Sequence, residues 1–70
     1  LKMSEFTPDF SVLFKRLIAD NFRESHVTVI TGNAQIAQQF THLPFDHLLF
    51  TGATSIASHV LHAAADNLTP

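Results

Sequence analysis

Apolar and polar positions along the chain follow two different periods. Phe10, Leu13, Phe14, Leu17 and Ile18 recur at intervals of three and four, the spacing of one helical face. Thr7-Pro8-Asp9 just ahead of them is a helix start: the Thr7 side chain can cap, Pro8 suits the first helical position, and Asp9 complements the dipole. This helix is expected to bury its stripe and to end near Asn21-Phe22. Arg23-Glu24-Ser25-His26 follows as a polar connector. Val27 to Ile30 then reads as a strand by its β-branched content.

Beyond that strand the pattern is written a second time. Val27-Thr28-Val29-Ile30-Thr31-Gly32 is echoed by Leu48-Leu49-Phe50-Thr51-Gly52, and Ile36-Ala37 and Phe40 fall where Ile56-Ala57 and Val60 fall after the second glycine. A short apolar strand, a glycine at a sharp turn and a helix packed back on the sheet make half of a βαβ unit. Asn33 is placed to cap the second helix, whose inner face is Ile36, Ala37, Phe40 and Leu43 before Pro44 stops it. The third helix begins near Thr54-Ser55, carries Ile56, Val60, Ala63 and Ala64 on its core side, and closes at Asp66-Asn67. The expected fold is α/β, a partial Rossmann-like parallel sheet with flanking helices in the order α-β-α-β-α. Its two strands should lie side by side and parallel, joined by a right-handed crossover through the helix near residues 34–42.

Composition sharpens this picture. Seventy residues with 46% hydrophobic side chains suit one small folded unit and argue against disorder. Parallel sheets normally have both faces covered, yet only two strands are visible. Leu1-Lys2 looks like the tail of an earlier strand and Leu68-Thr69-Pro70 like the lead into a later one, so residues 1–70 read as a segment of a larger domain. A net charge of −2 with four Lys and Arg supplies no basic field for nucleic acid. The seven Phe, with no Trp or Tyr, are core by spacing rather than a stacking platform. No apolar run approaches the roughly 20 residues that cross a bilayer. The absence of cysteine removes a disulfide framework, a zinc-thiolate site and a cysteine nucleophile from these residues. A reduced, cytoplasmic setting is the default expectation.

The candidate chemistry sits where strands give way to helices. Gly52 opens a helix directly after a strand, which aims backbone N–H groups and a positive dipole end at an anion such as phosphate. A glycine needed only for the turn gives the same pattern. His59 and His62 lie three apart on one helix, but two ligands do not make a metal site, so none is expected. Lys2 and Glu5, taken alone, are two solvated charges.

Four stretches taken together are more specific. Lys2-Met3-Ser4-Glu5-Phe6-Thr7-Pro8, Val29-Ile30-Thr31-Gly32, the run from Leu43 to Gly52 and the run from Ala63 to Pro70 stand in the order and spacing of the aldehyde dehydrogenase superfamily. The chain resembles that family over essentially all of its length, and its texture is similar to the coniferyl aldehyde dehydrogenase branch. The resemblance implies a fragment of an NAD(P)-binding domain, with NAD or NADP as coenzyme. It also implies an aldehyde substrate, coniferyl or a related aromatic aldehyde, oxidised to the acid by a parent enzyme that is a homo-oligomer.

The resemblance assigns roles residue by residue. Lys2 and Glu5 match the pair that binds the adenosine ribose hydroxyls, Gly32 lies near adenine, and Thr51-Gly52-Ala53 faces the pyrophosphate. Ile56 lines the adenine slot, and Ala57 stands where helix and coenzyme come close. Three residues depart from the family pattern: Met3 replaces a proline, Ala53 a serine or asparagine, and Ala57 a glycine. The family's catalytic cysteine and glutamate belong to motifs that follow Leu68-Thr69-Pro70 in its members, so this stretch alone is not catalytically competent. A non-catalytic, truncated module that self-associates through exposed sheet edges is the alternative description.

Overall fold

A computed structural model describes all 70 residues and contains three helices, α1 (Pro8–Asn21), α2 (Ala34–Thr41) and α3 (Thr54–Asp66). The chain divides into two compact units, Leu1–Ala37 and Gln38–Pro70.

In the first unit, α1 starts and stops where its sequence signals stand. Pro8 occupies the first turn, Asp9 follows it, and Phe22 is the C-cap in extended backbone. Thr7 is the N-cap residue, but its side chain makes no capping bond. Its carbonyl instead accepts both the amide of Ser11 at 2.9 Å and the Ser11 hydroxyl at 2.8 Å. The apolar stripe is not buried as expected. Phe10, Leu13 and Leu17 are each more than half exposed, and the buried residue of α1 is Ser11, at 2% exposure. Phe10 and Phe14 stack on each other, ring centroids 6.0 Å apart, which hides only part of their surface. After α1, a turn at residues 24–26 closes through bonds from the amides of His26 and Val27 to the Arg23 carbonyl.

The segment from Val27 to Ile30 does not form the expected strand. Its one bridge is parallel, Lys2 to Ile30. Ile30 donates its amide to Leu1 O at 2.7 Å and accepts at its carbonyl from the Met3 amide at 3.1 Å, while Leu1 N donates to Thr28 O. Val29, at 2% exposure, is the fully buried large side chain of the chain.

In the second unit, the amide of Leu48 donates to Pro70 O at 2.9 Å, and Leu48 to Phe50 form no strand either. The expectation of an α/β, Rossmann-like parallel sheet is therefore overturned. The two β-rich segments hydrogen-bond to short stretches elsewhere, Leu1–Met3 and Pro70, and a strand needs consecutive partners that neither segment finds. β-Propensity marks residues that suit a sheet without supplying the neighbouring strand. With no sheet formed, the adjacent pairing, its right-handed crossover and self-association through sheet edges all lose their premise.

The helix signals of α2 and α3 hold. Asn33 caps α2, its Oδ1 accepting from the Ile36 amide at 3.1 Å. Phe40, in the last turn of α2, packs against Phe45 beyond the helix, with ring centroids 4.9 Å apart. Ala63 and Ala64 are the buried positions of α3, whereas Ile56 and Leu61 are exposed. Two side-chain bonds tie the end of α3 to the chain after α2, from Asn67 Nδ2 to His42 O and from Thr69 Oγ1 to Phe45 O, both at 2.9 Å.

The C-terminus of α3 closes in a Schellman arrangement. The Thr69 amide donates to Ala64 O at 3.0 Å and the Leu68 amide to Ala65 O at 3.1 Å, the six-to-one and five-to-two bonds of that motif. The motif requires a left-handed residue after the cap, and here it is Leu68, with φ 55°. A side chain in that region costs about 1–2 kcal/mol, and Leu68 is 89% exposed, so packing returns little of it. Leu68→Gly should accordingly raise stability by about 0.5–1 kcal/mol, the strain relieved less the greater freedom of an unfolded glycine. Denaturant unfolding of the full-length polypeptide measures it, and an unchanged or lowered midpoint contradicts it.

Candidate functional site

The first unit carries a polar-rimmed cavity of about 320 Å3, near the lower bound for sites that take small molecules. One part of its lining comes from the turn that leads into α1. In that turn the Thr7 amide approaches Ser4 O at 3.5 Å and the Phe6 amide donates to Ser4 Oγ at 3.2 Å, leaving Glu5 and Phe6 at the tip. Ser4 and Glu5 line the cavity from this turn, and Pro8, Ser11 and Val12 from α1 itself. Thr31, Gly32 and Asn33 complete it. These last residues reach the cavity because the bonds between Ile30 and Leu1–Met3 lay the two segments side by side, each then running on into its helix.

The lining mixes polar and apolar groups. The Glu5 carboxylate offers two acceptor oxygens to a vicinal diol, Thr31 and Asn33 add neutral polar groups, and Pro8 and Val12 give apolar surface. Of the residues singled out from sequence, Glu5 and Gly32 come together here. Lys2 does not line the cavity: it is half-buried, and its ammonium donates to the carbonyl of its neighbour Met3. Sequence reasoning missed Ser4, Pro8, Ser11, Val12, Thr31 and Asn33 as lining residues. Ser11 had a visible signal, a lone hydroxyl between Phe10 and Val12, four residues after Thr7.

The other candidates belong to the second unit. Thr51, Gly52 and Ala53 lead into α3 and are exposed. Ala53 is the N-cap, with φ −67° and ψ 143°, and has no side-chain capping bond. Its carbonyl accepts the amides of Ile56 at 3.1 Å and Ala57 at 2.9 Å. Those of Thr54 and Ser55 sit at the open helix end, where an anion is favoured. Ile56 is 52% exposed. Ala57, half-buried, lines a separate apolar concavity with Leu48, Phe50, Val60 and Ala64. His62 donates from Nδ1 to Ser58 O at 2.7 Å, a helix-internal bond. No group of three or more potential metal ligands is present, and no helix is long and apolar enough to cross a membrane.

Over its whole length the chain is homologous to a segment of the aldehyde dehydrogenases. It is 54% identical, over all 70 residues, to a probable coniferyl aldehyde dehydrogenase of Pseudomonas aeruginosa, of which it covers 15%. It is 53% identical over the same 70 residues to a probable coniferyl aldehyde dehydrogenase of Caulobacter vibrioides, covering 14% of it. A solved structure of Staphylococcus aureus AldH in a substrate-bound state superposes on 99% of the chain with a TM-score of 0.94 and 40% identity, the match spanning 15% of that protein. The chain thus spans about 15% of the length of the curated relatives it matches. No family model matches it.

The two glycines of the repeated motif are held differently. Both have positive φ, 155° at Gly32 and 156° at Gly52, which costs a side chain about 1–3 kcal/mol. A Cβ on Gly32 would stand 2.7 Å from the Cβ of Ile36, an atom fixed to the backbone of α2. A Cβ on Gly52 would meet the outer edge of the Phe50 ring, also at 2.7 Å, and that ring can swing. Gly32→Ala should therefore destabilise the full-length polypeptide by more than Gly52→Ala. Unfolding midpoints of the two variants, compared directly, check the order, and equal losses would show that neither contact matters beyond the shared backbone strain.

Proposed function

We propose that this chain is part of the coenzyme-binding domain of an NAD(P)-dependent aldehyde dehydrogenase that oxidises an aldehyde, coniferyl or a related aromatic one, to the acid. Aldehyde dehydrogenases in general use NAD or NADP, and the coenzyme supplies the hydride acceptor when bound. The observation that carries the proposal is the cavity of the first unit, which brings Glu5 and Gly32 together in a chain homologous to these enzymes from end to end. In this view Glu5 accepts hydrogen bonds from the adenosine ribose, and Thr31-Gly32 borders the adenine side. Lys2 joins Glu5 once its ammonium leaves the Met3 carbonyl. In the second unit, Thr51-Gly52-Ala53 and the first amides of α3 meet the pyrophosphate, with Ile56 and Ala57 close to the coenzyme. The aldehyde and a second copy of the enzyme are the other partners, in a cytoplasmic setting.

Ala53 makes the proposal testable. It is the N-cap of α3 and lacks a side-chain bond, so backbone amides must carry the phosphate contact. Ala53→Ser should add stability of about 1 kcal/mol through capping. It should also tighten NAD binding by up to roughly tenfold if one charge-assisted bond is regained. Glu5→Ala should weaken NAD binding and shift preference toward NADP, because it removes a negative charge beside the 2′ position. Titrating both coenzymes against full-length wild type and the two variants decides the matter. Dissociation constants that stay unmoved in both variants would place the coenzyme elsewhere.

A further inference from the structure

Ser11 is the one buried polar residue of the chain, 2% exposed, and its hydroxyl has a specific task in the geometry around it. It donates to Thr7 O at 2.8 Å and, more weakly, to Ser4 O at 3.3 Å. The first of these bonds is the ordinary back-bond of a helical serine to the carbonyl four residues earlier. The second reaches seven residues back, to the residue immediately before Glu5. Ser4 O is also the acceptor of the turn itself, approached by the Thr7 amide at 3.5 Å. Both contacts to Ser4 O are longer than the usual range for their donors, so this end of the turn is held by two weak bonds. The single Ser11 hydroxyl proton is shared in a three-centre bond, chiefly with Thr7 O and in lesser part with Ser4 O, and so links both ends of the Ser4–Thr7 turn to the first turn of α1 with Glu5 between them. No buried side-chain polar atom lacks a partner, the Ser11 hydroxyl included.

We infer that Ser11 is a positioning residue for coenzyme recognition: by clamping the Ser4 and Thr7 carbonyls it keeps the Glu5 carboxylate at the cavity that Ser11 itself helps to line. The inference rests on the coenzyme role proposed for that cavity. A brace of this kind acts on where an acceptor stands, and a group held loosely gives up part of its binding energy to being ordered when the ligand arrives. Two consequences separate it from a merely structural serine. Its effect must pass through Glu5, and it must fall on the coenzyme rather than on the aldehyde.

The test uses the full-length enzyme and direct NAD binding by calorimetry, with thermal unfolding and steady-state kinetics alongside. Ser11→Ala should raise the NAD dissociation constant about fivefold, the scale of one neutral hydrogen bond. The KM for NAD should rise with it, while kcat at saturating coenzyme stays within about twofold. Ser11→Thr, which keeps the hydroxyl, should bind NAD as wild type does. In a Glu5→Ala background the added Ser11→Ala change should have no further effect on NAD binding, because nothing is left for the brace to position. The inference is overturned if Ser11→Ala binds NAD like wild type while Glu5→Ala weakens it. It is equally overturned if the two effects simply add, since Ser11 would then act through general stability. If Glu5→Ala itself leaves NAD binding unchanged, the coenzyme role of the cavity has failed and the brace fails with it.

Discussion

Ile30 spends both of its backbone groups on the first three residues, giving its amide to Leu1 and taking that of Met3 at its carbonyl. The candidate site depends on this pairing. The segment carrying Glu5 and the one carrying Gly32 are far apart in sequence, and these two bonds, with that from Leu1 N to Thr28 O, run them in parallel and in one register. Side chains alternate along extended backbone, so a slip of one residue would turn each to the opposite face. The register that puts Ile30 opposite Lys2 is thus also what sets Gly32 and Asn33 beside the turn that bears Glu5. Gly32 then lets the chain leave Ile30 and enter α2 without a Cβ colliding with Ile36.

The helices were legible in the sequence almost to the residue. Pro8 after Thr7, Asn33 before Ala34 and the polar close at Asp66-Asn67 are local signals, and local signals decide where a helix begins and ends. The strands were not legible, because a strand is a statement about a partner. Val27–Ile30 has the composition of a strand and finds only three residues to pair with. Leu48 finds Pro70. The buried stripes failed for a related reason: periodicity shows which face of α1 suits cover, not what covers it. Phe10, Leu13 and Leu17 stand exposed here, and most of the length of the homologous proteins lies outside the matched stretch.

At the site the balance was similar. Glu5 and Gly32 were singled out through resemblance to a family, and both line one cavity. Lys2, given the same role on the same grounds, turns its ammonium to Met3 O instead. Ser11 escaped notice because the sequence shows a serine inside an apolar helix without showing that its hydroxyl reaches back to Ser4. Leu68 escaped for the opposite reason, since a left-handed residue after a helix is usually glycine and nothing in the leucine announces it. Long-range hydrogen bonds and exceptional backbone angles are properties of the folded chain, and they supply what the spacing of residues omits.

The most direct test of the central claim is an experimental structure of the full-length polypeptide determined in the presence of NAD. The adenosine ribose should lie in the cavity of the first unit, its hydroxyls within hydrogen-bonding distance of the Glu5 carboxylate and the adenine alongside Thr31-Gly32. Ile30 should remain paired between Leu1 and Met3. Adenosine bound away from Glu5 and Gly32, with that cavity left to solvent, would contradict it.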